Sequence, residues 1–510
     1  MGGVVAAGHP VTAEAGAAAL RAGGNAVDAA VAAALMSFVT ESPLTGPGAG
    51  GFMLVHTAGG EDHLLDFFVA APGRGLEAPA GRAVAALEPV EVVFADDAVQ
   101  VFNVGPSSCG VFGAPAGLCE ALARFGSLPL AELCAGPARA ARGGVLVEPM
   151  QGYLHEILGP ILAATPAGAA LYAPEGRLLA AGERLCLPEL GDLLERLGAE
   201  GPAFLYTGEV GRRASDWVLE RGGLLTRDDL AAYAVEERRP ARASYRGREV
   251  LTNPPPSSGG ILVALALDLL ERREGPSDVR AFVEVMDQAN RTRTEDFLTG
   301  LHTEGYLERF LAREAGGGGA GAGAGALGST THISVLDDLG ASASVTCSNG
   351  SCSGVIVPGT GLHLNNMLGE EDLNPHGFHL HEPGRRVPSM MAPTLVLREG
   401  RPEAVLGSAG SNRIRSAILG TVLGIVDLGL GAQEAVDRPR VHPEAGVVHA
   451  EPGVDPDALA GLERDGWTVQ RWAERNLYFG GAQAVARDPA TGELSGGGDP
   501  RRGGAAVRVA

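Results

Sequence analysis

The sequence predicts an α+β layered sandwich, on three observations. The first part of the chain reads mainly as helices, strand-period patterning begins abruptly after residue 330, and helices return from residue 416. Strands gathered in runs, instead of alternating one for one with helices, argue against βαβ repeats.

Taken in order, Ala13–Leu20 forms one helix, residues 21–24 (Arg-Ala-Gly-Gly) break it, and Asn25 caps a second helix running to Phe38. Gly46, Gly48 and Gly51 have the GxGxxG spacing of a dinucleotide loop. That loop needs a strand before it and a helix after it; here a helix precedes and the apolar strand Phe52–Val55 follows, so the reading is excluded. Leu118–Phe125, Leu187–Leu197, Glu209–Glu220 and Ile261–Arg272 read as helices. Thr226 ends a Gly-rich turn and caps Arg227–Tyr233, and the helical pattern continues over Phe282–Phe297. Ala315–Ala326 contains only Gly and Ala, a flexible stretch unable to pack a core. Strands are then expected at His332–Leu336, Ser342–Cys347, Val355–Val357, Thr394–Leu397 and Ala404–Leu406, with a hairpin turn at Asp337–Gly340. Ser416–Asp427 and Gln433–Asp437 read as helices again.

Composition removes several chemistries. All 40 basic residues are arginine, so a lysine Schiff base, a Ser–Lys dyad and a phosphate-loop lysine are impossible. A net charge of −21 opposes sequence-independent binding to nucleic acid or anionic lipid, so neither is expected as a partner. The six cysteines include no CxxC pair and no histidine at zinc-ligand spacing, so no metal or cofactor is expected; Cys347 and Cys352 are read as free, buried thiols. The longest mainly apolar stretch, Ala29–Val39, is too short to span a bilayer. With no secretory pattern at Met1–Val5, the expected location is the cytoplasm, or the periplasm or exterior if the start is truncated.

A threonine hydroxyl is a weak nucleophile without a base beside it, and no GxSxG or Ser-His-Asp set marks this chain. A residue that becomes N-terminal carries its own base, because an α-amine with pKa near ~8 can take the hydroxyl proton. A flexible segment ending at Ser329, followed by Thr330 and Thr331 opening a strand, has the layout such a cleavage needs, although a Gly/Ala tract alone serves equally as a linker.

Several motifs decide between these. Residues 330–335 (Thr-Thr-His-Ile-Ser-Val), Leu364-Asn365-Asn366, residues 389–394 (Ser-Met-Met-Ala-Pro-Thr) and residues 407–413 (Gly-Ser-Ala-Gly-Ser-Asn-Arg) resemble the small subunit of the γ-glutamyltransferases. Residues 23–30, 222–226 and 254–260 resemble their large subunit, in order from about residue 4 to about residue 455. The resemblance implies the four-layer αββα sandwich of N-terminal-nucleophile hydrolases. Residues 1–329 would form the large-subunit portion ending in the flexible leader, and 330–510 the small-subunit portion, both in one domain after self-cleavage between Ser329 and Thr330. It implies Thr330 as nucleophile, Thr331 as the supporting hydroxyl, and the backbone N–H groups of Gly410 and Ser411 as the oxyanion site. Asn349, Glu370 (with Glu371 and Asp372 as rivals) and Ser389 would contact substrate. Ser257 and Ser258 read as turn residues and His442 as structural.

The sequence departs from the family where an arginine in DxRExAP grips the α-carboxylate of the glutamyl group. Here Phe68 occupies that place in Asp66-Phe67-Phe68-Val69-Ala70-Ala71-Pro72, with Arg74 the one basic residue close by in sequence. Met390 replaces the second of two paired serines, and Ser411 the usual second glycine of the oxyanion turn. The expected function is a self-processing γ-glutamyltransferase-like amidohydrolase or acyltransferase. It would cleave a γ-glutamyl or related small amide and pass the acyl group to water or an amine. An N-acyl amide acylase of the β-lactam side-chain type uses the same machinery, and an uncut binding or scaffold homologue is the alternative of another class. The two cut subunits are expected to stay associated, with homo-oligomerisation left open.

Overall fold

The strand-forming segments pair into two antiparallel sheets that lie face to face. A computed structural model describes residues 1–76, 84–95, 98–314 and 330–510; the Gly/Ala segment and Ser329 fall outside them. The first sheet runs in the order Ala505–Val509, Gly3–Ala7, Thr331–Asp337, Ser342–Ser348, Gly50–His56, Asp62–Phe67, Glu236–Arg238. The second runs Leu494–Gly498, Gly481–Arg487, Arg401–Ala409, Thr394–Arg398, Arg248–Thr252, Ala241–Tyr245. Both sheets therefore interleave strands from either side of residue 330.

Helices cover the two outer faces. Pro10–Arg21 and Ala26–Thr40 pack on the first sheet, and Ser258–Glu271 and Arg413–Val426 on the second. The result is the expected αββα order. Three apolar layers follow from strand alternation. Val5, Ala7, Ile333 and Val335 point to the first helix layer, Val4, Ala6, Phe52 and Val405 fill the space between sheets, and Val250, Val396 and Leu406 meet the second helix layer. With both faces covered, the central strands are buried along their whole length; Gly50–His56 carries an apolar run, whereas Ser342–Ser348 alternates small polar with apolar residues.

Part of the inter-sheet layer is polar and decides the registration. His332 faces the second sheet, its Nδ1 2.8 Å from Thr346 Oγ1 and its Nε2 3.0 Å from Ser334 Oγ. Ser334 Oγ donates to the carbonyl of Gln483 and Ser344 Oγ to that of Leu406, each at 3.0 Å, so hydroxyls of one sheet are spent on carbonyls of the other. Burial pushes the His332 imidazole down to about 3, and the ring is neutral. It lies against Gly407, where an added Cβ would sit 2.2 Å from its Cε1.

Local signals account for most helix boundaries. Asn25 caps Ala26–Thr40 in a capping box with Asp28, and Thr226 caps Arg227–Ala231 in the same way with Asp229. The continuous helix expected over Phe282–Phe297 is instead two, Val279–Arg291 and Glu295–Gly300. Thr292 turns its hydroxyl back onto the Ala289 carbonyl and Thr294 caps the second helix, so side-chain hydrogen bonds end one helix and start the next. Two helices not anticipated, Leu130–Gly143 and Pro149–Leu162, carry Pro137 and Pro160 inside them, which masks their period. The edge strand Ala505–Val509 and its neighbour Gly3–Ala7 are short and Ala-rich. All six cysteines are free, with Cys347 and Cys352 buried.

The contact between His332 and Gly407 yields a test. Gly407→Ala should destabilise the protein by about 1–3 kcal/mol through overpacking, read as a lower midpoint in thermal or urea unfolding.

Candidate active site

The His332–Gly407 contact fixes which chain ends meet. Thr331 opens one strand and Ala409 closes the strand facing it, so Thr330 and Gly410 leave the sandwich at the same edge. Thr331 also pairs with Cys347 in the neighbouring strand, which brings Ser348 and Asn349 to that edge. Thr330 itself is buried.

One guanidinium bridges the two segments. Arg502 Nη1 is 3.5 Å from the Thr330 carbonyl oxygen, and Nη2 is 3.6 Å from where a side chain on Gly410 would begin. Burial pushes Arg502 down to about 10, which leaves it a cation at neutral pH.

Thr331 is held from the other side. Its Oγ1 donates to Glu41 Oε2 at 2.6 Å, and Thr12 Oγ1 donates to Glu41 Oε1 at 3.1 Å. Glu41 follows the end of the fully buried helix Ala26–Thr40 and is itself buried. Desolvation raises its carboxyl to about 7, against the lowering effect of Thr331, Thr12 and Arg502. The carboxylate fits because residue 8 is glycine: a Cβ there would stand 2.4 Å from Glu41 Oε2. Neither Glu41 nor Arg502 was singled out from sequence. The signal for Glu41 was an acid placed directly after a helix that is buried along its whole length.

Gly410 (φ 117°) and Ser411 (φ 48°) form a left-handed turn just before the helix Arg413–Val426. Among the described residues, neither backbone N–H is taken by another acceptor, and both stand at a helix N-terminus. Free donors placed there suit a developing negative charge. A serine in the left-handed region costs about 1–2 kcal/mol. Its hydroxyl donates to Asp372 Oδ2 at 2.8 Å, a charged-acceptor bond worth about 1.5–3 kcal/mol, enough to offset that strain. The helix start is fastened by Asn412 on Glu444 Oε1 (3.1 Å) and Arg413 on Glu444 Oε2 (3.0 Å).

This separates the acidic candidates. Asp372 lies at the Gly410–Ser411 turn. Glu370 lies instead beside Gly350 and Asn366, buried, with Oε1 lacking a protein partner, and burial together with the Asp372 charge raises it to about 8. The protonated form of Glu370 is thereby favoured near neutral pH. Glu371 is exposed. Asn349 is buried next to Gly350, its Oδ1 also without a protein partner.

Phe68 is buried between the sheets, stacked on Phe52 with ring centroids 5.4 Å apart. Its carbonyl accepts from Tyr233 Oη at 2.8 Å. The nearby Arg386 is committed to Asp66 (Nε to Oδ1 3.4 Å) and to the face of Tyr233. Arg74 rests its guanidinium against Gly384. Ser389 is used locally: its Oγ accepts from Met391 N at 3.0 Å, and its carbonyl from Ser257 Oγ at 2.9 Å. Ser257 and Ser258 thus tie down the 389–391 segment, and Ser258 Oγ also reaches Met390 Sδ at 3.3 Å. His442 is buried, its Nδ1 2.9 Å from Ser416 Oγ.

The sequence profile described as Gamma-glutamyltranspeptidase matches residues 12–509. The chain belongs to that family. It is an enzyme of the N-terminal-nucleophile hydrolase type. Relatives include the acylase ACY 1 proenzyme of Pseudomonas sp. (strain SE83), 34% identical over 99% of this chain and 93% of its own. The glutathione hydrolase proenzyme of Escherichia coli (strain K12) is 29% identical over 98% of this chain and 90% of its own. The crystal structure of cephalosporin acylase from Bacillus halodurans superposes with a TM-score of 0.85 at 28% identity, covering 99% of this chain and 95% of that one.

The clasp of Asp372 on Ser411 can be tested directly. Ser411→Ala keeps the strained backbone and loses the bond to Asp372, and should lower kcat by about tenfold or more, equivalent to about 1.4 kcal/mol. Ser411→Gly relieves the strain and keeps the amide, so steady-state assay should show a smaller loss.

Proposed function

We propose that this family member cuts its own chain before Thr330 and then hydrolyses, or transfers, the acyl group of a small N-acyl amide lacking a γ-glutamyl-type α-carboxylate. In maturation, Thr330 Oγ attacks the Ser329 carbonyl carbon, the Ser329–Thr330 C–N bond breaks to leave an ester and a free amine, and water opens the ester. In turnover, the α-amine takes the Thr330 hydroxyl proton as Oγ attacks the substrate carbonyl, and returns it to the leaving amine. The amides of Gly410 and Ser411 receive the oxyanion, and water or an amine then takes the acyl group from the ester.

Thr330 and its surroundings support the mechanism; Phe68 carries the substrate reading. An apolar ring packed on Phe52 stands where the family places a guanidinium, and the buried cation nearby, Arg386, is already paired. A carboxylate brought against that surface would lose its hydration without a charge-assisted partner. The acylase names of the relatives with 34% identity agree with this reading.

Two measurements test it. Intact mass should show fragments 1–329 and 330–510 for the purified protein and a single full-length species for Thr330→Ala; a wild-type chain that stays whole supports instead an uncut homologue. Against a panel of anilides, N-acyl substrates without an α-carboxylate should exceed the γ-glutamyl anilide in kcat/KM by about tenfold or more, the loss of one charge-assisted contact being worth at least about 1.5 kcal/mol. Preference for the γ-glutamyl anilide overturns the substrate assignment and leaves the mechanism standing.

A further inference from the structure

We infer that the groove between the helices Val279–Arg291, Arg413–Val426 and Pro456–Arg464 is a binding site for a small amphipathic carboxylate, its charged end held by Arg438 and its apolar tail in the chamber behind. The site is separate from Thr330 and independent of the functional reading above. The Gly410–Ser411 turn stands at the start of the helix Arg413–Val426, whereas Leu423 and Val426, near its other end, line the groove. At a rise of about 1.5 Å per residue, that end lies about 20 Å from the turn.

Two adjoining spaces make up the groove. The outer one, of about 880 Å³, is bordered by exposed residues such as Arg280 and Leu428. The inner one, of about 230 Å³, is bordered by the buried side chains of Phe282, Val441 and Val454. Leu423 and Arg438 border both. A cavity of about 150 Å³ is enough to hold benzene, so the inner space accepts a phenyl ring or a short alkyl chain. Its polar groups are already engaged: Thr421 Oγ1 donates to the Ala417 carbonyl at 2.8 Å, Ser416 Oγ lies 2.9 Å from His442 Nδ1, and Arg440 is paired with Asp499 at 2.6 Å. An occupant of that chamber therefore meets apolar contact and few open hydrogen-bonding groups, the usual make-up of a small-molecule pocket.

Arg438, where the two spaces meet, supplies the charge. Its Nη1 donates to the Gly420 carbonyl over a long 3.4 Å, and among the described residues no carboxylate stands within 4.0 Å of it. Burial holds it below the ordinary arginine value, with the more distant Asp427 drawing it back. The other charged groups of the groove have partners. Arg280 holds Glu284 (2.9 Å) and Asp465 (3.2 Å), and Arg246 lies 3.9 Å from both Glu271 and Asp427. Asp427 accepts from Tyr245 Oη at 2.7 Å, while Asp278 and Asp455 accept the amides of Ala281 (2.8 Å) and Asp457 (2.9 Å) at the helices they cap. A carboxylate provides the planar acceptor that the Arg438 guanidinium lacks.

Calorimetric titration of the purified protein with hydrocinnamate, its neutral amide and phenylpropylamine tests the site, the three sharing a phenyl tail and differing in the head group. The acid should saturate at one per chain and bind about tenfold or more tighter than the amide or the amine. Arg438→Gln should weaken the acid by about tenfold or more and leave the amide unchanged. Gly420→Leu fills the inner chamber and should abolish binding with Arg438 intact; a Cβ there meets the Phe282 ring at 4.0 Å and nothing nearer outside its own helix backbone, so the fold should accept it. Both variants should keep wild-type kcat/KM on an anilide the enzyme turns over. An acid that does not saturate, or binds no better than the amide or the amine, overturns the proposal. So does wild-type affinity in Gly420→Leu, which puts the acid elsewhere, at Thr330 for example. If Arg438→Gln fails to fold, judged by circular dichroism, the acid-to-amide ratio of the wild type and the Gly420→Leu result decide.

Discussion

The placement of the site depends on one contact, the neutral His332 ring pressed against Gly407 between the two sheets. Sheets packed through apolar side chains alone can slide by small amounts, because dispersion is weakly directional. Here the ring is hydrogen-bonded within its own sheet, and the hydroxyls of Ser334 and Ser344 donate across the buried layer, where an unmade bond costs about 1–3 kcal/mol. A slip would break several of these at once. That registration brings the start of the strand at Thr331 to the same edge as the end of the strand at Ala409, and the positions of Thr330 and the Gly410–Ser411 turn follow from it.

Two acids, Glu41 buried and Asp372 half-buried, then set the local geometry on either side. Glu41 fixes the hydroxyl of Thr331, and Asp372 holds Ser411 in a conformation serine resists. Both are reached from distant parts of the chain, so neither arrangement exists before the tertiary fold has formed. Arg502 joins the two sides through the Thr330 carbonyl and the space above Gly410. The site is assembled by long-range polar contacts on a rigid frame of strands.

How much was legible in the sequence divides along the same line. The α+β class could be read from local period, caps and the break at the Gly/Ala tract, whereas the four-layer order came with the family resemblance. Thr330, Thr331 and the turn at Gly410 could be read because they lie in contiguous motifs. Glu41 could not, since its meaning comes from Thr331, 290 residues further along the chain. The choice among Glu370, Glu371 and Asp372 was undecidable from order alone, because the short 3-10 turns Met367–Gly369 and Glu371–Leu373 rotate adjacent acids into different surroundings. Phe68 announced a changed substrate by its identity, whereas its stacking on Phe52 emerges only when the inter-sheet layer is assembled.

The account centres on a covalent ester between Thr330 Oγ and the substrate acyl group. Rapid acid quench during turnover of a slow acyl anilide, followed by intact and tandem mass spectrometry, observes it most directly. The account predicts that the fragment beginning at Thr330 gains the mass of one acyl group, on Thr330 itself. Turnover with the adduct on another residue would contradict it.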